Sequence, residues 1–212
     1  MKRISALLIL LMPVLFAVQA QNKADKILEQ FSANMQGKSS ITAEFEYRFE
    51  NTADGLSNSY NGILNLKGDM FRLEIAGQII MSDGISLWTF LPDDEEVQLN
   101  SLEDTEGLFT PAKLFASYTE DYKATYNKEY AVGPKTIHVI DLEPNDKSQG
   151  FTRAQMELDK NSLELISFSV FDKNNNKFSY IVNKFFTGKV TDDSIFVFDA
   201  SEYPDVEIID MR

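Results

Sequence analysis

Apolar residues recur along this chain with two different periods. Between Asn22 and Gly37 they fall at Ala24, Ile27, Leu28, Phe31 and Met35, the spacing that lays one stripe along a helix. Asn22 supplies a cap and Gly37 a stop, which predicts a helix from about Lys23 to Met35. From Ser39 to Glu50 the period drops to two. Ile41, Ala43, Phe45, Tyr47 and Phe49 face one way, and Thr42, Glu44, Glu46, Arg48 and Glu50 the other, as on a strand with one dry and one wet face. Asn51 to Asn58 reads as a polar hairpin loop.

Tyr60 to Gln98 reads as a meander of about five short antiparallel strands. Tyr60, Gly62, Leu64 and Leu66 share one face of its first strand, and Phe71, Leu73 and Ile75 one face of its second. Turns are expected at Lys67-Gly68-Asp69, at Ala76-Gly77-Gln78 and at Pro92-Asp93-Asp94. Asp83-Gly84 has the chemistry of a two-residue type I′ turn. Ser101 to Gly107 is an acidic linker, and Thr110-Pro111 opens a short helix whose apolar side is Leu114, Phe115 and Tyr118. Further strands are expected over Thr136–Leu142, Thr152–Leu158, Leu163–Phe171 and Lys177–Phe186.

Composition narrows the class. Lys2 and Arg3, the apolar run Ala6 to Phe16 and the small-x-small site Val18-Gln19-Ala20 form a cleavable secretory signal. Residues 21–212 are then expected to form one exported domain. The chain has no cysteine, so it is expected to be soluble, without disulfides and without a lipid anchor of its own. Its formal net charge of −13, or −15 without Lys2 and Arg3, lacks the basic footprint that nucleic acid requires. His138 is the sole histidine, and it sits in a strand-like run, which rules out multi-histidine metal sites. Asp93-Asp94-Glu95-Glu96 lacks the spacing of a calcium loop and reads as a solvated turn. No nucleophile-elbow or phosphate-loop motif is present. The expectation is a protein that is not an enzyme and needs no metal or cofactor.

Sixteen Phe, eight Tyr and one Trp, many on dry strand faces, suit either a filled core or a hollow apolar pocket. Periodicity alone leaves both open. The order Tyr60-x-Gly62, apolar strand, Phe71-Arg72, Ser82-Asp83-Gly84 and Leu87-Trp88 resembles the outer-membrane lipoprotein carrier family (LolA). Ser40 to Phe45, the Pro111 helix, Ile137 to Pro144 and Phe196-Val197-Phe198 with Pro204 and Val206 extend the resemblance over most of the chain.

The resemblance implies a mainly β fold with α: one curved antiparallel sheet forming a half-open barrel, with helices as a lid over an apolar cavity. On that pattern Phe45, Tyr47, Phe49, Leu64, Leu66, Phe71, Leu73, Ile75, Trp88, Leu114 and Phe115 would line the acyl-binding cavity. Arg72 would either touch the lid or cargo at the cavity mouth, or pair with Glu74 or Glu44 on the wet face. The family's basic-Pro pair before the Phe-Arg strand is replaced here by Lys67-Gly68, so the closed state is expected to be looser or built differently. The implied function is a monomeric periplasmic chaperone. It would take acylated lipoproteins from an ATP-driven inner-membrane complex and pass them to an outer-membrane acceptor. The rival expectation is a lipid- or protein-binding sensor module on the same fold.

Overall fold

The computed structural model describes residues 22–51, 53–103 and 121–212. The expected helix at Thr110-Pro111, with Leu114 and Phe115, lies outside these. The first element is helix α1, residues 22–36. Its stripe does what the spacing requires: Ala24, Ile27, Leu28, Phe31 and Met35 are each less than a tenth exposed. At Gly37 the helix closes with two last backbone bonds, Gly37 N–H to Ala33 O at 3.1 Å and Lys38 N–H to Met35 O at 3.0 Å.

Twelve strands follow: β1 (Ile41–Asn51), β2 (Leu56–Lys67), β3 (Met70–Ile75), β4 (Gln78–Ser82), β5 (Ser86–Leu91), β6 (Glu96–Ser101), β7 (Tyr122–Val132), β8 (Lys135–Pro144), β9 (Phe151–Asp159), β10 (Leu165–Asp172), β11 (Asn176–Thr187) and β12 (Glu207–Asp210). They form one sheet in the order β12-β6-β5-β4-β3-β2-β1-β11-β10-β9-β8-β7. Every neighbouring pair is antiparallel except β12, which joins β6 in parallel. The two outermost strands, β12 and β7, do not pair with each other, so the sheet stays open.

The sheet curls, and the core shows it. Leu64, Leu66 and Phe71 of β2 and β3 share one buried cluster with Ile140, Leu142, Met156 and Leu158 of β8 and β9. Six strand spacings separate β3 from β8, about 29 Å in a flat sheet. Only a sheet wrapped around α1 brings the two arms onto the same helix. Bulges at Glu44/Phe45, at Tyr126/Lys128 and on the β9–β10 pair raise the local twist that such wrapping needs. The expected half-open, mainly β architecture is the one observed.

Three local readings differ, the first being the Asn51–Asn58 loop, of which Asn51 ends β1 and Leu56 to Asn58 begin β2. The segment Tyr122–Val132, which shows no clean alternation, is a full strand. Tyr122, Ala124 and Tyr126 pair in step with β8, and then the bulge at Asn127 shifts the phase and hides the period. Asp83-Gly84 is not a type I′ turn, because Asp83 keeps a negative φ. The last strand pair is Ser82–Leu87. The Asp83 carboxylate closes the wider loop by accepting from the N–H groups of Ile85 and Ser86 at 2.9 and 2.7 Å. The two-residue type I′ geometry sits instead at Ala76-Gly77, with φ of 50° and 81°.

Gly62 of β2 lies opposite Phe45, and the Phe45 ring rests directly on its Cα. A Cβ added there would fall 2.4 Å from the ring's Cζ. Phe45 is only 5% exposed, so the ring has little room to retreat. Gly62→Ala is therefore expected to destabilise the fold by about 1–3 kcal/mol in urea titrations. Adding Phe45→Leu should recover part of that loss, because the shorter side chain vacates the contact.

Candidate functional site

Strand register sorts the side chains onto two faces. Ile41, Ala43, Phe45, Tyr47 and Phe49 of β1 stand in rows with Leu66, Leu64 and Gly62 of β2 and with Phe185, Val182, Tyr180 and Phe178 of β11. This is the inner face, the one α1 covers. Phe45, Leu64, Leu66 and Phe71 are buried in the cluster that holds α1. Tyr47, Phe49, Leu73 and Ile75 lie on the same face but remain half-buried. Eight of the eleven expected lining residues thus meet on one curved surface.

Beyond α1 the surface continues as an aromatic wall across β2, β1 and β11. Tyr60 stacks on Tyr47 with centroids 6.4 Å apart, Tyr47 meets Tyr180 at 5.3 Å, and Phe49 meets Phe178 at 5.4 Å. Such offset and tilted rings bury large apolar areas yet leave edges open to a further apolar partner. Burial pushes the Tyr180 hydroxyl up to about 12, with a smaller push from Tyr47, so the wall carries no charge at neutral pH. Phe178 and Tyr180 were not singled out from sequence. The signal was available, since both fall on the period-two pattern of the expected Lys177–Phe186 strand.

Trp88 is a correction. It pairs with Met81, and Ile79 pairs with Phe90. These four residues belong to a second cluster on the outer face, closed by Phe198 and Val206 of the C-terminal segment. Alternation explains the error: Leu87, one residue earlier, is the β5 side chain that packs with the inner core.

Arg72 is a second correction as a lid or mouth contact. It faces outward beside Met81, and its Nε donates to Glu74 Oε1 at 2.8 Å while Nη1 reaches Met81 Sδ at 3.2 Å and the Ile195 carbonyl at 3.4 Å. It therefore holds the C-terminal segment against the sheet, and of the expected carboxylate partners it takes Glu74. Lys67 does similar work through Asp193 at 2.6 Å.

The outer face carries two openings. A cleft of about 710 Å3 runs along the cross-strand row Glu44, Ile63, Glu74 and Ile79. A groove of about 430 Å3 lies between Arg72 and the aromatic trio Phe90, Phe198 and Tyr203. Both are lined by carboxylates as well as apolar groups, a poor environment for an acyl chain. Asp93 and Asp94 stand on an exposed turn. Among the described residues no three His, Asp or Glu side chains are grouped so as to hold a metal ion, and no helix is long and apolar enough to cross a membrane.

Residues 36–199 match the family described as outer membrane lipoprotein carrier protein LolA. Among solved structures, an uncharacterized conserved protein from Thermus thermophilus superposes with a TM-score of 0.62 at 12% identity, covering 89% of this chain and 99% of that one. The Mycobacterium tuberculosis lipoprotein LppX gives 0.53 at 11% identity, over 81% and 98% of the two chains. A LolA superfamily protein from Nitrosomonas europaea gives 0.47 at 16% identity, over 83% and 98%. No curated protein sequence matches this one.

Because Trp88 is the sole tryptophan and reports on the outer face, its fluorescence separates the two surfaces. Phe198→Ala is expected to red-shift its emission. Saturation with an acyl-chain probe should leave the emission maximum in place, which steady-state spectra will show.

Proposed function

The chain belongs to the outer membrane lipoprotein carrier protein family LolA, and from that premise we propose that it is a periplasmic carrier of acylated lipoproteins. It shields their acyl chains after release from the inner membrane and delivers them to the outer membrane. The observation that carries this reading is that an amphipathic helix fills the hollow of an open sheet whose apolar inner surface extends beyond it.

Magnitudes support an exchange. Burying Ile27, Leu28, Phe31 and Met35 contributes about 1.5–3 kcal/mol each, or about 6–12 kcal/mol together. An acyl chain of about fifteen methylenes contributes roughly 12 kcal/mol on leaving water. The helix and any one acyl chain are therefore comparable occupants of one surface. Either can displace the other without a large net change, as a carrier that must both capture and release requires. No bond is made or broken in this cycle, so the protein acts without catalysis and without a cofactor. The energy for extraction comes from an ATP-driven inner-membrane complex, and an outer-membrane acceptor draws the cargo onward.

The acidic net charge suits the role. It keeps a protein with an exposable apolar surface in solution and away from anionic lipid.

The test places charge on the half-buried wall. Tyr47→Glu and Tyr180→Glu are expected to reduce capture of a triacylated lipoprotein from inner-membrane vesicles by at least about tenfold, the equivalent of 1.4 kcal/mol, with the circular-dichroism spectrum retained. Ile63→Glu, on the outer face and 41% exposed in the parent, should capture normally. Equal capture by all three variants would contradict the reading.

A further inference from the structure

His138 lies on the inner face of β8, only 6% exposed, in a polar cluster at the N-terminal end of α1. The Lys23 ammonium of α1 sits 3.4 Å from the centroid of the Tyr126 ring, a cation–π contact that ties the first helical turn to β7. The Tyr126 hydroxyl donates to Glu129 Oε2 at 3.1 Å and lies 3.0 Å from His138 Nδ1. With its own proton engaged on Glu129, the hydroxyl accepts from the imidazole. That fixes the neutral ring as the Nδ1–H tautomer, and an added proton would go to Nε2.

Three elements bring charge to the ring. α1 presents Lys23, β7 presents Glu129, and β9 with its following turn presents Asp159 and Lys160. Glu129 Oε2 lies 3.7 Å from His138 Nδ1, but both carboxylates also hold other partners. Glu129 accepts from Lys160 at 3.2 Å. Asp159 accepts from the N–H groups of Asn161 and Ser162 and meets Lys135 at 3.6 Å. An imidazolium would thus be a further positive charge among three ammoniums and two occupied carboxylates. Lys23 is the one of those ammoniums that leaves when α1 leaves.

We propose that His138 makes the docking of α1 sensitive to acid: a proton on the imidazole repels Lys23, loosens the first turn of the helix and favours exposure of the inner face. The inference rests on the carrier reading only for what that exposure accomplishes, namely uptake or release of cargo.

The sign follows from the environment. Burial first, and then Lys23, hold the His138 imidazole below its ordinary value, against the pull of Glu129 and Asp159. Undocking α1 removes Lys23 and admits water, so the undocked state binds the proton more tightly. Docking is therefore at full strength above the ordinary histidine range of about 6.5 and weakens as pH falls through it. The other end of α1 has no such control, since Asn34 Nδ2 donates to the Ser162 carbonyl at 3.2 Å, a contact that does not titrate.

The absence of cysteine allows two unique spin labels, at Gln30→Cys on the exposed side of α1 and Glu143→Cys on β8. Distance distributions are recorded at pH 8 and pH 5, with fluorescent acyl-probe uptake measured in parallel. A longer-distance population is expected to grow severalfold at pH 5, and His138→Gln should abolish that growth. Lys23→Gln, an exposed change that spares the core, should diminish the response even if the His138 variant folds poorly. Distances that do not change with pH overturn the proposal, as does an undiminished response in either variant. If α1 moves as expected but no acyl probe enters at either pH, the latch stands and the carrier reading falls.

Discussion

One helical stripe, buried between the two arms of an open sheet, holds those arms together. A twelve-stranded sheet whose outermost described strands do not pair with each other has no closed barrel seam to enforce its curvature. Ile27, Leu28 and Phe31 supply the common surface on which β2–β3 and β8–β9 converge. Removing that surface without a substitute would expose the inner face to water and relax the curl. The apolar groups that shape the fold are therefore the same groups that would receive cargo.

The two faces of the sheet divide the labour. Inside, the side chains against α1 are largely apolar, apart from the His138 cluster at its first turn, and Tyr180 remains neutral. Outside, the C-terminal segment is fastened by Arg72, Lys67 and the ring cluster of Phe90, Phe198 and Tyr203, and β12 extends the sheet beside β6. Those outer contacts hold β3 to β6 in place independently of α1. An outer face fastened apart from α1 and an inner face that α1 covers is the arrangement the proposed carrier cycle needs.

Much of this was legible in the sequence, for identifiable reasons. The stripe of α1 and the alternation of β1 are uninterrupted, so period alone assigned Phe45 and Tyr47 to one face of β1, while the family resemblance placed Leu64 on the same surface. Trp88 was misplaced because β5 carries apolar residues on both faces, and alternation cannot tell which face is inner when both are dry. Arg72 was ambiguous because its partner carbonyl at Ile195 is 123 positions away. β7 was missed because a bulge breaks its period. The His138 cluster was invisible for the same reason as the Arg72 contact: Lys23, Tyr126 and Lys160 come together only through the tertiary fold.

If α1 and an acyl chain compete for the inner face, holding the helix docked must block uptake. This can be tested by paired Asn34→Cys and Ser162→Cys, positions already joined by a 3.2 Å hydrogen bond in a chain with no other cysteine. Uptake of a diacylated fluorescent peptide is measured before and after oxidation. The oxidised protein is expected to lose uptake, and reduction is expected to restore it. Equal uptake by the oxidised and reduced forms would contradict the competition, because cargo would then bind without displacing the helix.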